Sequence, residues 1–199
     1  YVQHRSIERL TPYYIGLLHQ RAGNTQDAIP PFEGVLKLNA SYTTTYARLA
    51  ELYYASGQPL QAETAWRNYN ERAPSDWLGW VGLARISLDR GDAASAIELL
   101  RRAELLGPRD FQVHYYLSRA YSAAGDDASA AKHDAIRRGL DQGTWLRARD
   151  PLEDEMHRST GSVDSLVREF GRSKDSNDYA KLAKLAEHDE RFREVLGHL

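Results

Sequence analysis

The residue types that most often carry out chemistry are few and scattered in this sequence. There is no cysteine, which excludes disulfides, thiolate metal sites and a catalytic thiol. Glu153 and His157 are four residues apart on one predicted helix, but two further ligands are missing. The other histidines show no metal-ligand spacing; they are His4, His19, His114, His133, His188 and His198. The sequence therefore predicts no metal site and no cofactor.

No motif of a known reaction accompanies these residues. The chain has neither a glycine-rich phosphate loop nor a Gly-x-Ser-x-Gly nucleophile turn. The acidic run at 153–155 follows Asp150 and Pro151, an N-cap and first-turn pair, so it is more typical of a helix start than of a general-acid pair. We expect a protein that is not an enzyme.

One modification motif is present in the N-terminal part. Asn39, Ala40 and Ser41 form a glycosylation sequon, and three threonines follow at 43–45. These residue types are also typical of turns that begin and end helices. Both interpretations stay open, and export of the chain would favour the glycan.

Composition excludes several classes of partner. A net charge of -2 gives no basic surface for nucleic acid or for an anionic membrane, and 42% hydrophobic residues suffice for a continuous core. No apolar run approaches the roughly 18 residues that a bilayer span needs. We expect neither nucleic-acid binding nor membrane insertion.

The sequence contains repeated elements, and any site must be positioned by them. Glycine recurs at one constant interval, at Gly23, Gly57, Gly91 and Gly125. Alanine recurs at the same interval, at 28, 62, 96 and 130. Because a two-helix unit of this size cannot bury its apolar face alone, such units must stack on one another. The glycine is expected where the chain reverses, and the alanine where two helices come closest.

The spacing within residues 43–76 resembles a tetratricopeptide repeat, a pair of antiparallel helices. The residues that carry the resemblance are Tyr46, Leu49, Ala50, Tyr53, Gly57, Ala62, Trp66, Tyr69 and Pro74. The predicted organisation is an N-terminal capping segment, four tandem repeats and a helical tail. Their bounds are 1–8 for the cap, 9–42, 43–76, 77–110 and 111–144 for the repeats, and 145–199 for the tail. The resemblance implies an all-α fold, a right-handed α-solenoid with an irregular helical C-terminal cap.

Prolines distinguish the first predicted repeat from the others. Pro12 is expected to open a helix, where a missing N–H costs little. Pro30 and Pro31 are expected to kink the second helix of this repeat or to delay its start. Gly16 is expected to let the partner helix approach, with Phe32 filling the space beside it.

The tail loses the glycine and alanine pattern of the repeats. Residues 163–188 resemble a degenerate fifth repeat, and a final helix over 192–199 is expected to cap the stack. An incomplete cap would leave an apolar face on which another copy could stack.

The resemblance to tetratricopeptide proteins implies that the first helices of the repeats line a concave groove that receives a peptide or a partner protein. By analogy, the groove positions carry tyrosine and arginine, which commonly anchor interfaces. The candidate residues are Tyr13, Tyr14, Leu17, Arg21, Arg48, Glu51, Tyr54, Val81, Arg85, Asp89, Tyr115, Tyr116 and Arg119. Packing and solubility alone would also explain tyrosines and arginines at these positions.

Three functions remain open on the sequence. The first is a non-catalytic scaffold that binds a protein or peptide in the groove. The second is a structural subunit that assembles with itself, and the third, disfavoured by the charge, is RNA binding. Stretches such as TPYYIGLLHQRAG and VHYYLSRAYSAAGD also resemble bacterial exported tetratricopeptide proteins, which implies the periplasm or cell surface, with the cytoplasm as the alternative.

Overall fold

The computed structural model describes residues 2–140 together with Ala183 and Glu187, with side chains from Thr11 onward. This part of the chain forms eight α-helices and no strand. The helices are α1 Val2–Arg21, α2 Thr25–Leu38, α3 Thr43–Ala55, α4 Pro59–Arg72, α5 Leu78–Asp89, α6 Ala93–Leu106, α7 Phe111–Ala123 and α8 Asp127–Arg138. The protein is an all-α helical repeat of the solenoid class, as predicted.

The chain divides into two compact units. Unit 1 comprises Tyr1–Gln58 and Ala148–Leu199, and unit 2 comprises Pro59–Arg147. In unit 1, α1 packs on α2 and α2 packs on α3. In unit 2, each helix from α4 to α8 packs on the next, and α5 also contacts α7. The odd-numbered helices are the first helices of the repeats, so α5 and α7 form a shared face.

The chain reversals repeat with the period seen in the sequence. Gly23, Gly57, Gly91 and Gly125 all have positive φ angles, between 72° and 79°. At each reversal the next N–H returns to a carbonyl of the preceding helix, as in the 2.9 Å bond from Asp126 to Tyr121. Glycine is required because an L side chain is strained in this conformation. The predicted role of these glycines is confirmed.

The second helices of the repeats begin at equivalent positions. They start at Thr25, Pro59, Ala93 and Asp127, in each case two residues after the turn glycine. In the later repeats, Asp92 and Asp126 cap these helices by accepting the N–H of Ser95 and of Ser129 respectively. Aspartate at this position satisfies a donor that the helix itself leaves unpaired.

The expected helix start at Pro12 and the expected late start of α2 are both wrong, whereas the alternative for α2, a kink, stays a prediction. Pro12 lies inside α1, which begins at Val2, so it does not open a helix. The helix α2 does not start late, because it begins at Thr25 with Pro30 and Pro31 inside it. Four apolar residues of this helix are buried, namely Ala28, Ile29, Phe32 and Val35, and tertiary packing of such a face outweighs a local loss of about 3 kcal/mol per proline.

Small residues set the closest approaches between helices. The repeated alanines at 28, 62, 96 and 130 are all buried, as predicted. A Cβ on Gly16 would lie 2.8 Å from Phe32 Cε2, which confirms the expected pairing of these two residues. In unit 2, a Cβ on Gly82 would overlap the ring of Trp66 at Cε2. Large rings therefore fill the space that the glycines leave.

The predicted fifth repeat and final cap lie outside the described residues. Of that segment only Ala183 and Glu187 are described, both in helical conformation, and Ala183 is fully buried. Within the described part, none of the helices combines the length and the apolar character that crossing a bilayer would require.

Candidate functional site

In unit 1 the predicted groove residues are mostly packed inside the protein. Tyr13, Tyr14 and Leu17 of α1 are buried, and so is Arg48 of α3. The guanidinium of Arg48 lies 5.6 Å from the Tyr13 ring centroid, and its Nη1 donates to Gln20 Oε1 at 3.3 Å. These side chains therefore contact other side chains of the same unit.

The remaining groove candidates of unit 1 are more accessible. Glu51 and Tyr54 are half-buried, and Arg21 is exposed. A partner could therefore contact the edges of the first-helix face of this unit, whereas the residues at its centre are buried.

In unit 2 the equivalent face is open. Tyr115 and Arg119 of α7 are both exposed, and 37% of the tyrosine is accessible. Asp89 at the end of α5 is exposed, and Arg85 is half-buried. Tyr116 is buried and Val81 is too, so these two support the face from beneath.

The accessible pair belongs to an aromatic group that we call the α7 cluster: Phe111, Tyr115, Tyr116 and Arg119. The Arg119 guanidinium lies 5.8 Å from the Tyr115 centroid and 5.9 Å from the Tyr116 centroid. The two tyrosine rings meet edge to face at 5.0 Å, and Phe111 lies parallel to Tyr115 at 6.4 Å. A cation over two aromatic rings is held in place, with its N–H donors available to a ligand.

The sequon residue Asn39 is exposed at the end of α2. Its Oδ1 accepts the N–H of Ser41 at 2.9 Å, and Thr43 Oγ1 donates to the Ser41 carbonyl. The asparagine side chain therefore organises the turn, while its exposure leaves it accessible to modification. Thr45, in contrast, is fully buried.

The structure brings together three groups that the histidine spacing did not suggest. His114 of α7 and His133 of α8 place their Nδ1 atoms 3.1 Å apart. Glu104 Oε1 of α6 lies 3.9 Å from each of them. Burial, the largest of several effects, lowers the pKa of His133, and the Tyr121 ring lies parallel to it at 5.4 Å.

Sequence reasoning missed this group because the three residues are far apart in the chain and lie on different helices. An indication of the contact is present when equivalent positions of successive repeats are compared. The positions of His114 and His133 hold Trp80 and Leu99 in the preceding repeat. Two polar rings at neighbouring packing positions indicate a contact between them.

Comparison with known proteins places the chain in a family. The sequence profile of the tetratricopeptide repeat matches residues 47–105 and again 88–144. The chain belongs to the tetratricopeptide repeat family. A curated relative, Superkiller protein 3 of Schizosaccharomyces pombe (strain 972 / ATCC 24843), is 25% identical over 107 residues, or 54% of this chain. That match spans only 8% of the length of the relative.

Solved structures share the fold. MamA has a TM-score of 0.59 at 21% identity, with 91% of this chain and 96% of MamA covered. TTC0263 of Thermus thermophilus has a TM-score of 0.57 at 20% identity, with coverages of 93% and 95%. YrrB, described as having an unusual peptide-binding site, has a TM-score of 0.54 at 16% identity, with coverages of 94% and 91%. Tetratricopeptide repeats are in general non-catalytic protein-interaction scaffolds, and this chain has that fold.

Proposed function

We propose that this tetratricopeptide protein is a non-catalytic scaffold that binds a peptide or an extended segment of a partner protein on the α5–α7 face of unit 2. The observation that carries the proposal is the accessible pair Tyr115 and Arg119, fixed one helical turn apart by ring contacts. Because their conformations are already restricted, less entropy is lost when a ligand binds.

The chemistry of the α7 cluster favours a particular ligand. A guanidinium donates to a carboxylate through two parallel N–H groups, and tyrosine covers apolar area while keeping a hydroxyl at its tip. We therefore expect a segment with an acidic side chain or a free C-terminal carboxylate next to an apolar residue. The peptide-binding site described for YrrB, a protein of the same fold, supports a peptide as the ligand.

The test compares binding by the wild-type protein with binding by the double variant Tyr115→Ala, Arg119→Ala. A display library of peptides first identifies ligands of the immobilised wild-type chain, and calorimetry then measures their dissociation constants. Removal of two interface anchors should cost at least about 2 kcal/mol, or roughly a 30-fold weaker dissociation constant. Tyr115 is a better target than Tyr116, because truncation of the buried Tyr116 would also create a cavity.

The matched control is Leu105→Ala, which removes a side chain that is 85% exposed on the second helix α6. It should bind the selected peptides as the wild type does. Peptides that bind the double variant with unchanged affinity would refute the proposed face, provided that circular dichroism shows the variant to be folded.

A specific observation also supports self-assembly as a second function. Leu105 and Leu106 are adjacent, and both are exposed at the end of α6. Light scattering over a concentration series should show a constant mass of 22.6 kDa for a monomeric scaffold. Growth of the mass with concentration, reversed by Leu105→Ser, would favour assembly through this patch instead. The absence of nucleic-acid binding and an exported location remain proposals drawn from the sequence.

A further inference from the structure

The buried group formed by Glu104, His114 and His133 has no part in the proposed peptide face. It joins three helices of unit 2, since its members come from α6, α7 and α8 respectively. Both imidazoles are buried, whereas 34% of the Glu104 side chain remains accessible. The group is therefore enclosed on the histidine side and reachable by solvent on the carboxylate side.

The distances in this group match those around a bound metal ion. The three ligand atoms form a triangle with sides of 3.1, 3.9 and 3.9 Å. The point in the plane of the three atoms that is equidistant from them lies about 2.1 Å from each, which is the length of a Zn–N or Zn–O bond. One ion could thus contact all three atoms with little movement of the backbone.

A further hydrogen bond orients one of the histidines. His114 Nε2 donates its proton to the Pro108 carbonyl at 2.8 Å. In the neutral ring this leaves Nδ1 without a proton, so its lone pair is directed into the group. A ligand histidine in a metal site commonly donates its other N–H to a carbonyl in the same way.

We propose that Glu104, His114 and His133 bind one divalent transition-metal ion, with Zn²⁺ as the representative. Two histidines and a carboxylate are a common zinc ligand set, and water completes the coordination from the Glu104 side. In the metal-free protein, His133 Nδ1–H donates to His114 Nδ1. Metal binding moves that proton to Nε2 of His133, so that each ring offers a lone pair. The ion would link the last helix of the third repeat to both helices of the fourth.

The experiment titrates the full chain, freed of metal by a chelator, with Zn²⁺ in competition with a chromophoric chelator. The expected result is one high-affinity ion per chain. Substitution of His114→Gln or His133→Gln should weaken the affinity by at least about a hundredfold, since changes one shell further out already cost roughly 10–100-fold. Co²⁺ in place of Zn²⁺ should give the visible absorption of a site with nitrogen and oxygen ligands.

Two variants keep the test decisive. Glu104→Gln alters only the accessible carboxylate, so it should fold normally and still lose at least about tenfold in affinity. His4→Ala removes a histidine outside the group and should change nothing. The proposal is overturned if the wild type binds no ion, or if Glu104→Gln and the two histidine variants bind it as tightly as the wild type. The histidines would then form only a hydrogen-bonded pair.

Discussion

Two repeat positions are buried in the first repeat, in unit 1, and accessible in the fourth repeat, in unit 2. Tyr13 and Tyr115 are equivalent, because they occupy the same position in the first and the fourth repeat, yet Tyr13 is fully buried and Tyr115 is 37% accessible. Leu17 and Arg119 are related in the same way, and only the leucine is buried. Position within a repeat therefore does not decide whether a side chain can meet a partner.

What differs is the set of elements in each unit. Unit 1 includes the C-terminal segment, and Glu187 of that segment accepts a hydrogen bond from His19 of α1 at 2.8 Å. Ala183, one helical turn earlier, is fully buried. In unit 2, α7 carries an arginine where α1 carries a leucine, and a charged side chain is rarely buried without a partner. The residue types on the first helices and the elements that each unit contains thus both determine whether the first-helix face is accessible or buried.

The largest effect should come from truncation of the equivalent tyrosines. Tyr13→Ala leaves a cavity in a packed core and should lower the free energy of unfolding by about 3–5 kcal/mol. Tyr115→Ala should cost less than about 1 kcal/mol, because surface substitutions perturb packing little. Urea denaturation followed by circular dichroism measures both. Equal losses would show that the two positions are equally buried in solution.

A smaller effect, equal in both units, should follow substitution of the turn glycines. Gly23→Ala and Gly125→Ala should each cost about 1–2 kcal/mol, because an L residue at positive φ is strained. No atom lies within 4 Å of the added Cβ at either position, so the cost is conformational alone. Gly139→Ala is the control, since its φ is -85° and it should change stability little. A difference between Gly23 and Gly125 would mean that the turns are not equivalent.

The smallest effect should be an acid-dependent loss of the folding stability that Glu63 contributes. The equivalent residue of the preceding repeat, in unit 1, is the buried Ile29. Hydrogen bonds from Arg67 and then Arg90, opposed by burial, lower the pKa of Glu63. Since the pKa is lower in the folded state, the stabilisation is present above the ordinary value of 4.5 and is lost as the pH falls through the folded value.

The size of this loss should be at most about 1 kcal/mol, because the pair is near the surface. Urea denaturation of the wild type and of Glu63→Gln at neutral and acidic pH measures it. The difference between the two proteins should shrink on acidification and also in high salt, which screens the charges. A difference that is independent of pH would assign the effect to packing.

Much of the fold could be predicted from the sequence, because its signals are local and repeated. Gly57 has to sit at a reversal because of its backbone freedom, and Ala62 has to sit where helices approach. The predicted late start of α2 is wrong, because local rules assign a cost to Pro30 and Pro31 that takes no account of how well α2 packs.

The candidate site could be predicted only in part. Tyr115, Tyr116 and Arg119 lie on one helix, so their spacing alone brings them together, and the structure shows the arginine over both rings. The burial of Tyr13 and Leu17 depends on other helices and could not be predicted. Neighbours along a helix can be read from spacing, whereas exposure cannot.

The sequence by itself determined the repeat, its period and its family, because each unit carries the same turn glycine and the same close-contact alanine. Only the tertiary structure decided which copy of the first-helix face is open. It also decided that Glu104, His114 and His133 meet, since they come from three helices whose approach is fixed by packing. Local patterns fix the backbone of a repeat protein, whereas exposure and convergence of side chains depend on the neighbours that each repeat acquires.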